Sequence, residues 1–373
     1  MRFQSGRAVA GVDTVMPRRV LHVLATAKAQ GAAIARLTGA LARGLDHERY
    51  RVHAWFLGGD GPLAAELSAA GVPVQTFRWT GNRTDLVGAL SFWRRLRGEH
   101  FSIVHLHCGG RALPFLVRSA LRTRIVLHLH ASGAESGVPG RLVVRPWVAD
   151  RVIAVSEAVA RSVVGARPHV VYSGVPIPRV ESSRPHSGKR HEILLGTAGR
   201  LAPIKGLLYL IRAFASLRSE FPNVCLEVAG EGPEQTLLQE EARALGLEGC
   251  ISFLGWQADV GSLFARWDVF VMPSLDEGLG LSALEAMAGG LPVVASTAGG
   301  LSELVEHGRT GWLVPPGNAA ALAEGLRNLV IDPEQRRSMG CAGQARAREK
   351  FSQERMVAEV ERIYEELLKP EQT

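Results

Sequence analysis

Residues Pro273–Gly300 read PSLDEGLGLSALEAMAGGLPVVASTAGG. The apolar run Val269–Met272 before this stretch predicts a buried strand, and Ser282–Ala288 predicts a helix. The glycines between them predict a tight turn, which puts Glu277 in the loop and Glu285, eight residues on, inside the helix. A second apolar run, Val293–Ala295, follows. Strand, glycine-rich turn, helix and strand in succession imply a parallel sheet, with its ligand site at the carboxyl ends of the strands.

The chemistry follows from the same residues. The free N–H groups and dipole of a helix N-terminus face an anion. Carboxylates beside them accept hydrogen bonds from hydroxyls, two at a time on a vicinal diol. Diphosphate, ribose and hexose, the parts of a sugar nucleotide, match that set of groups. Read alone, the stretch also fits a strand–turn–helix with solvated glutamates.

Working outward, both halves of the chain alternate in the same way. Strand candidates in the first half are Val20–Leu24, Val52–Leu57, Val74–Phe77, Ile103–His107, Ile125–His130 and Val152–Val155. Helical patterns fall between them at Ala32–Leu45, Leu63–Ala70, Asp85–Leu96 and Pro114–Leu121. The second half has strands at Ile193–Gly196, Val224–Ala229, Ile251–Leu254, Val269–Met272 and Val293–Ala295, with helices at Leu207–Arg218, Gln235–Leu245 and Ser282–Ala288. Pro176–His191, rich in Pro, Ser, Arg and Lys without periodicity, reads as a linker. Gln353–Leu368 reads as a charged amphipathic helix. The expected division is a first domain over 18–185, a second over 186–352, and the terminal segment 353–373. Met1–Pro17 is expected to be a flexible leader, with Met16 an alternative start.

At 373 residues, 46% hydrophobic, the chain fits two domains of ordinary size. No apolar run reaches membrane-spanning length, and the N-terminus lacks the apolar core of a secretory signal. Cys108, Cys225, Cys250 and Cys341 form no CxxC pair, so neither a disulfide framework nor a cysteine zinc site is indicated. A cytoplasmic protein is expected. The net charge of +7 hides an asymmetry: residues 1–185 carry 25 Lys and Arg against 11 Asp and Glu, and residues 186–373 carry 18 against 25. The first half therefore favours an anionic surface or substrate. No nucleic-acid module is visible.

Gly199-Arg200-Leu201-Ala202-Pro203-Ile204-Lys205-Gly206 follows the first strand of the second half and opens a helix. Its two cations flank a turn. Together with Glu277, Glu285 and Gly299-Gly300, this segment resembles the retaining glycosyltransferases of family 4, and the resemblance extends over most of the chain. It implies the GT-B architecture: two Rossmann-like domains facing each other across a cleft, with the C-terminal helix crossing back to brace the first. It implies that Arg200 and Lys205, with Gly199 in the turn, neutralise the leaving nucleoside diphosphate, a task metals perform in other transferases. By the same resemblance Glu285 binds ribose hydroxyls and Glu277 contacts the hexose near its 3- and 4-hydroxyls. Backbone N–H groups of Gly278, Leu279 and Gly280 line the hexose, and those of Leu281 and Ser282 the phosphate. Leu279 replaces a phenylalanine frequent in the family. Glu303 matches a recurrent acid and is expected to support the donor pocket.

In the first half, His130 ends a strand where the family places a histidine facing the hexose, so a positioning role toward the 6-hydroxyl is expected. His128 lies two residues earlier on the same face. Gln30-Gly31-Ala32-Ala33 resembles the family's Gly-Gly loop with one glycine replaced, leaving Gly31 as a donor-site candidate. His105 and His107 share a strand face, but no third ligand is spaced to make a zinc site with them. Gly230-Glu231-Gly232-Pro233 lacks the third glycine of a dinucleotide fingerprint, since position 235 is Gln. Trp256 is a candidate border for the nucleobase.

Arg111, Arg118 and Arg122 would share one face of a helix spanning them, and Phe92-Trp93-Arg94-Arg95 mixes aromatics with cations. Both suggest peripheral contact with an anionic membrane. The reading is a metal-independent, retaining hexosyltransferase without a cofactor. Its donor is a UDP-sugar or GDP-mannose, and its acceptor a glycan or lipid-linked precursor of the bacterial surface. A sugar-nucleotide epimerase or hydrolase, or a non-catalytic module that kept the pocket, remain open alternatives, since one fold hosts many functions.

Overall fold

The structure, a computed structural model, describes residues 16–28, 32–79, 85–107, 113–131, 142–145, 147–178 and 192–369. Most of the leader, Gly31, Cys108, Arg111 and most of the linker fall outside the described residues.

The strands in chain order are β1 (Arg18–Leu24), β2 (Tyr50–Phe56), β3 (Val74–Thr76), β4 (Ile103–Leu106), β5 (Arg124–Leu129), β6 (Leu142–Val143), β7 (Arg151–Ala154), β8 (Val163–Val164) and β9 (His169–Val170). They continue as β10 (Ile193–Ala198), β11 (Val224–Ala229), β12 (Ile251–Gly255), β13 (Val269–Met272), β14 (Val293–Ser296) and β15 (Gly311–Val314). One sheet runs β3-β2-β1-β4-β5-β7-β9, the other β12-β11-β10-β13-β14-β15, and β6 pairs with β8. Every pairing in the two large sheets is parallel.

The strands read as continuous apolar runs because helices cover both faces of each sheet. Strand β1, RRVLHVL, is buried from Val20 onward. In each sheet the chain first steps outward from a central strand, then returns to pair on its other side: β4 on β1, and β13 on β10. At such a reversal the connections leave in opposite directions, which opens a crevice at the strands' carboxyl ends.

Helix Gln353–Leu368 crosses back to the first sheet as expected. Met356, Val357, Val360, Ile363, Tyr364 and Leu367 are buried in one core with Val20, Leu24, Tyr50 and Val52. The Gln353 N–H donates to the Val175 carbonyl at 3.1 Å, and Arg49 pairs with Glu365 at 2.5 Å.

Two surface readings need correction. The helix near the arginines spans Leu113–Ala120, so Arg122 lies beyond its end and only Arg118 is on it. Arg118 pairs with Asp150 at 2.9 Å. Phe92 is fully buried, because helix Leu86–Arg97 packs that side into the core. β15 and helices Ala319–Ile331 and Pro333–Lys350 are additions to the sequence reading.

Candidate active site

A cavity of about 870 Å³ lies where the carboxyl ends of the two sheets face each other. From the first sheet's side come Lys28 and Arg36 after β1, His130 after β5, Val155 after β7 and Ser173 after β9. The second contributes Gly199, Arg200 and Lys205 after β10, Gly230 to Pro233 after β11, Trp256 after β12, and Ser274, Glu277, Leu279 to Ser282 and Glu285 after β13.

Helix Leu281–Ala288 opens at Gly280, whose φ of 95° suits glycine, and no side chain caps it. Its first N–H groups are therefore available to an anion at the cavity wall. Helix Leu207–Glu220 opens the same way behind Gly206, at φ 65°, where a Cβ would meet the Pro273 carbonyl at 2.2 Å. That close approach brings Lys205 alongside the β13 loop. Lys205 Nζ donates to Glu277 Oε2 at 2.8 Å, and Ser274 Oγ donates to the same oxygen at 3.1 Å. Glu277 is thus a buried carboxylate fixed by a cation and a hydroxyl. Among the described residues Arg200 has no ion-pair partner; it is exposed on the cavity rim.

Glu285 pairs across the cleft with Arg36 at 2.8 Å. Burial pushes its carboxyl above the usual range, and Arg36 pulls it back. Arg36 was not anticipated: the two residues are 249 positions apart, and nothing local in the sequence links them.

Two expected residues serve elsewhere. Gly278 does not line the cavity; its backbone is pressed against His130, and its carbonyl accepts from Ser156 Oγ at 2.6 Å. Glu303, expected at the donor pocket, instead caps helix Glu157–Arg161. It accepts from the N–H groups of Glu157 at 2.8 Å and Ala158 at 2.7 Å, and from the Tyr172 hydroxyl at 3.0 Å. Burial and that last bond push the Tyr172 hydroxyl up to about 12. Glu303 therefore clamps the two sides together. Gly31 lies outside the described residues.

His130 lines the cavity, whereas His128 is buried behind it. Behind both stands a layer of stacked imidazoles: His22 on β1, His105 and His107 at β4, and His128 and His130 at β5. His105 and His107 lie 4.5 Å apart at 6°, and His128 and His130 4.3 Å apart at 25°. A third histidine does stand beside His105 and His107, contrary to the sequence expectation: His22 sits opposite His105 in the sheet register. Burial holds His22 down at about 3 and His130 at about 4, and His105, His107 and His128 well below the usual imidazole range. The closest nitrogens, on His22 and His107, are 2.8 Å apart. On metal bonds of about 2.1 Å they would subtend only about 84° at an ion, short of a tetrahedral site. These are hydrogen-bond contacts between neutral rings.

Two family models match consecutive stretches of the chain: Glycosyltransferase Family 4 over residues 34–179 and Glycosyl transferases group 1 over residues 180–346. N-acetyl-alpha-D-glucosaminyl L-malate synthase of Bacillus anthracis is 33% identical over 166 residues, 44% of this chain and 43% of that protein. Alpha-D-kanosaminyltransferase of Streptomyces kanamyceticus is 28% identical over 279 residues, 66% of this chain and 72% of that one. The matched region spans half or less of the first curated relatives. Among solved structures, Anabaena Alr3699/HepE in complex with UDP-glucose superposes with a TM-score of 0.76 at 25% identity, covering 94% of this chain and 99% of that one. The same protein with UDP and glucose gives 0.78 at 23%, covering 94% and 100%. With the site and both sheets matching one architecture, the chain belongs to the group 1 glycosyltransferases of family 4 and has the GT-B fold.

Proposed function

We propose that the protein transfers a hexosyl group from a nucleoside diphosphate sugar to a hydroxyl acceptor, with retention of anomeric configuration. The observation that carries this reading is one cavity wall: an uncapped helix N-terminus at Gly280–Ser282 beside Arg200 and Lys205, with two carboxylates, the buried Glu277 and the half-buried Glu285, on either side. The helix end and cations take the diphosphate, Glu285 the ribose hydroxyls, and Glu277 the hexose hydroxyls. Trp256, exposed at the rim, offers a face to the base.

In the transfer the anomeric carbon's bond to the phosphate oxygen breaks, and its bond to the acceptor oxygen forms on the same face. The acceptor's proton goes to the departing phosphate oxygen. Arg200, Lys205 and the helix N-terminus stabilise the charge that grows on the diphosphate, so their effect falls on the transition state. These groups supply the counter-charge a cofactor metal supplies elsewhere, so we propose turnover without one.

The donor class is a UDP-sugar or GDP-mannose; Alr3699/HepE, similar in fold, was solved with UDP-glucose. The acceptor class is a glycan or lipid-linked precursor at the inner face of a cell membrane. Exposed apolar side chains on the first domain support membrane contact: Leu86, Val87 and Leu90 on one helix, and Phe115 with Trp147, whose rings are 4.4 Å apart. Arg94, Arg97, Arg122 and Arg145 are exposed on the same domain. Amphipathic surfaces of this kind seat at headgroup depth. No described helix is long and apolar enough to cross a membrane.

Thermal melts with UDP, GDP, ADP and their sugar conjugates, with and without EDTA, test the donor reading. A rise with one nucleotide that survives EDTA supports it and names the base. Absence of any shift moves the weight to a non-catalytic role.

A further inference from the structure

The buried histidines form one string of hydrogen-bond contacts. His130 Nε2 meets His107 Nδ1 at 2.9 Å, and His107 Nε2 meets His22 Nδ1 at 2.8 Å. His22 Nε2 meets the Tyr364 hydroxyl at 3.4 Å, the longest link, and that hydroxyl meets His105 Nδ1 at 2.5 Å. His105 Nε2 then meets His128 Nδ1 at 3.1 Å. The string starts at the cavity, runs through the sheet to the C-terminal helix, and returns to end beside its start.

A neutral imidazole has one N–H and one lone pair, so each contact needs one protonated and one bare nitrogen. Polarity set at any ring therefore passes to the next, and the hydroxyl passes it on when it donates to one neighbour and accepts from the other. An unbroken string has two states: every histidine carries its proton on Nε2, or every one carries it on Nδ1. The 2.5 Å contact at Tyr364 decides between them. The hydroxyl has one proton to give, and its other imidazole neighbour, His22 Nε2, stands at 3.4 Å, so the proton goes to the nearer nitrogen. Tyr364 thus donates to His105, and the direction follows through every link. Either direction leaves His128 Nε2, at the end of the string, buried without a partner, so that atom does not distinguish them.

We infer that His22, His107 and Tyr364 are positioning residues that lock His130 as the Nε2–H tautomer, so that its remaining nitrogen, Nδ1, presents a bare lone pair to the ligand. His130 would then accept a hydrogen bond from a hydroxyl and reject a ligand offering only an acceptor there, which selects hydroxylated sugars over deoxy or keto analogues. Low basicity from burial keeps the rings neutral, so the string carries orientation rather than charge. The inference rests on the cavity as the donor site, but the locked tautomer does not.

The test is long-range proton–nitrogen NMR on protein carrying nitrogen-15 histidine, without ligand. Five neutral Nε2–H rings are expected in the wild type. In Tyr364→Phe, which removes only the hydroxyl, His22, His107 and His130 should show mixed tautomers. The KM for the nucleotide sugar should rise by about two-fold for an even mixture, the reciprocal of the fraction left as Nε2–H, with circular dichroism unchanged. A mixed wild-type string, an all-Nδ1–H string, or an unaltered His130 tautomer in Tyr364→Phe would each overturn the inference. If Tyr364→Phe fails to fold, the wild-type spectrum alone decides. Locked tautomers in a protein that binds no nucleotide would count against the donor reading and not against the string.

Discussion

Gly278→Ala reaches the reaction geometry through a residue that touches no ligand. A Cβ at Gly278 would stand 2.0 Å from the His130 carbonyl oxygen, where ordinary contact begins near 3.4 Å, so the two loops must part by about 1.4 Å. His130 and Gly278 are backbone neighbours across the cleft, and neither loop can yield by rotating a side chain. The Ser156 hydrogen bond to the Gly278 carbonyl is weakened as well. Misplacing reacting groups by about 1 Å costs on the order of 10²-fold in rate, and one neutral hydrogen bond costs about 1 kcal/mol of stability. Steady-state assays with the nucleotide sugar identified by thermal shift should therefore show kcat/KM down by about a hundred-fold. Nucleotide affinity should be nearly unchanged, because Arg200, Lys205, Trp256 and Glu285 all lie on one side of the cleft. A Gly278→Ala enzyme with wild-type turnover would show that this approach of the two domains is not the reactive one.

Lys205→Ala and Arg200→Ala should each lower kcat by about 10²–10³-fold, as loss of a preorganised charge at a leaving group does. Lys205→Ala should also melt earlier, since it strips Glu277 of its 2.8 Å partner; equal melting of the two variants would contradict the buried pairing. Stability should fall steeply in mild acid. Four buried histidines and the half-buried His130 titrate below the ordinary value of 6.5, with His22 near 3 and His130 near 4. Depressed folded values mean that stability is present above pH 6.5 and lost as pH falls toward 4. The loss is up to about 7 kcal/mol per pH unit if all five take up protons on unfolding, and a Tm unchanged from pH 7 to pH 5 would refute the neutral layer. Replacing Leu86, Val87 and Phe115 with serine should reduce sedimentation with anionic vesicles while sparing nucleotide binding, and unchanged sedimentation would remove the membrane proposal.

The fold was legible because its periodic signals are local. Val224–Ala229, Val269–Met272 and Gln353–Leu368 have the bounds that their apolar patterns imply. Helix Pro333–Lys350 carries no such signal: beside Met339 and Gln344, the side it buries is made of Gly340, Gly343 and Ala347, small residues that let it lie close to helix Leu281–Ala288. A stripe of glycine and alanine does not read as a hydrophobic face. The basic surface was misread for the opposite reason. Phe92 and the arginines around it look amphipathic in sequence, but the helix turns Phe92 inward and leaves Leu86, Val87 and Leu90 outside.

Within the cavity, the lining from the second sheet was legible because Arg200, Lys205, Glu277 and Glu285 sit in two short motifs after strands that the sheet places side by side. Contacts between distant stretches of the chain were not. Arg36 meets Glu285 over 249 positions, Glu303 meets helix Glu157–Arg161 over 146, and Tyr364 meets His22 over 342. These contacts exist only once two sheets and a returning helix are assembled, and no periodicity encodes them.

That division has a mechanistic consequence. The loop that bears Glu277 continues directly into Gly278, whose carbonyl takes the Ser156 hydroxyl and whose backbone meets His130. Further along the chain the Gly300 N–H donates to the Glu277 carbonyl, and helix Leu301–Leu304 then carries the Glu303 clamp. The Glu277 carboxylate is therefore held between two interdomain contacts within one run of chain. Any separation of the two domains would move Glu277 relative to His130. That is why a methyl group at Gly278, which would part these two loops, should act on turnover and leave nucleotide binding intact.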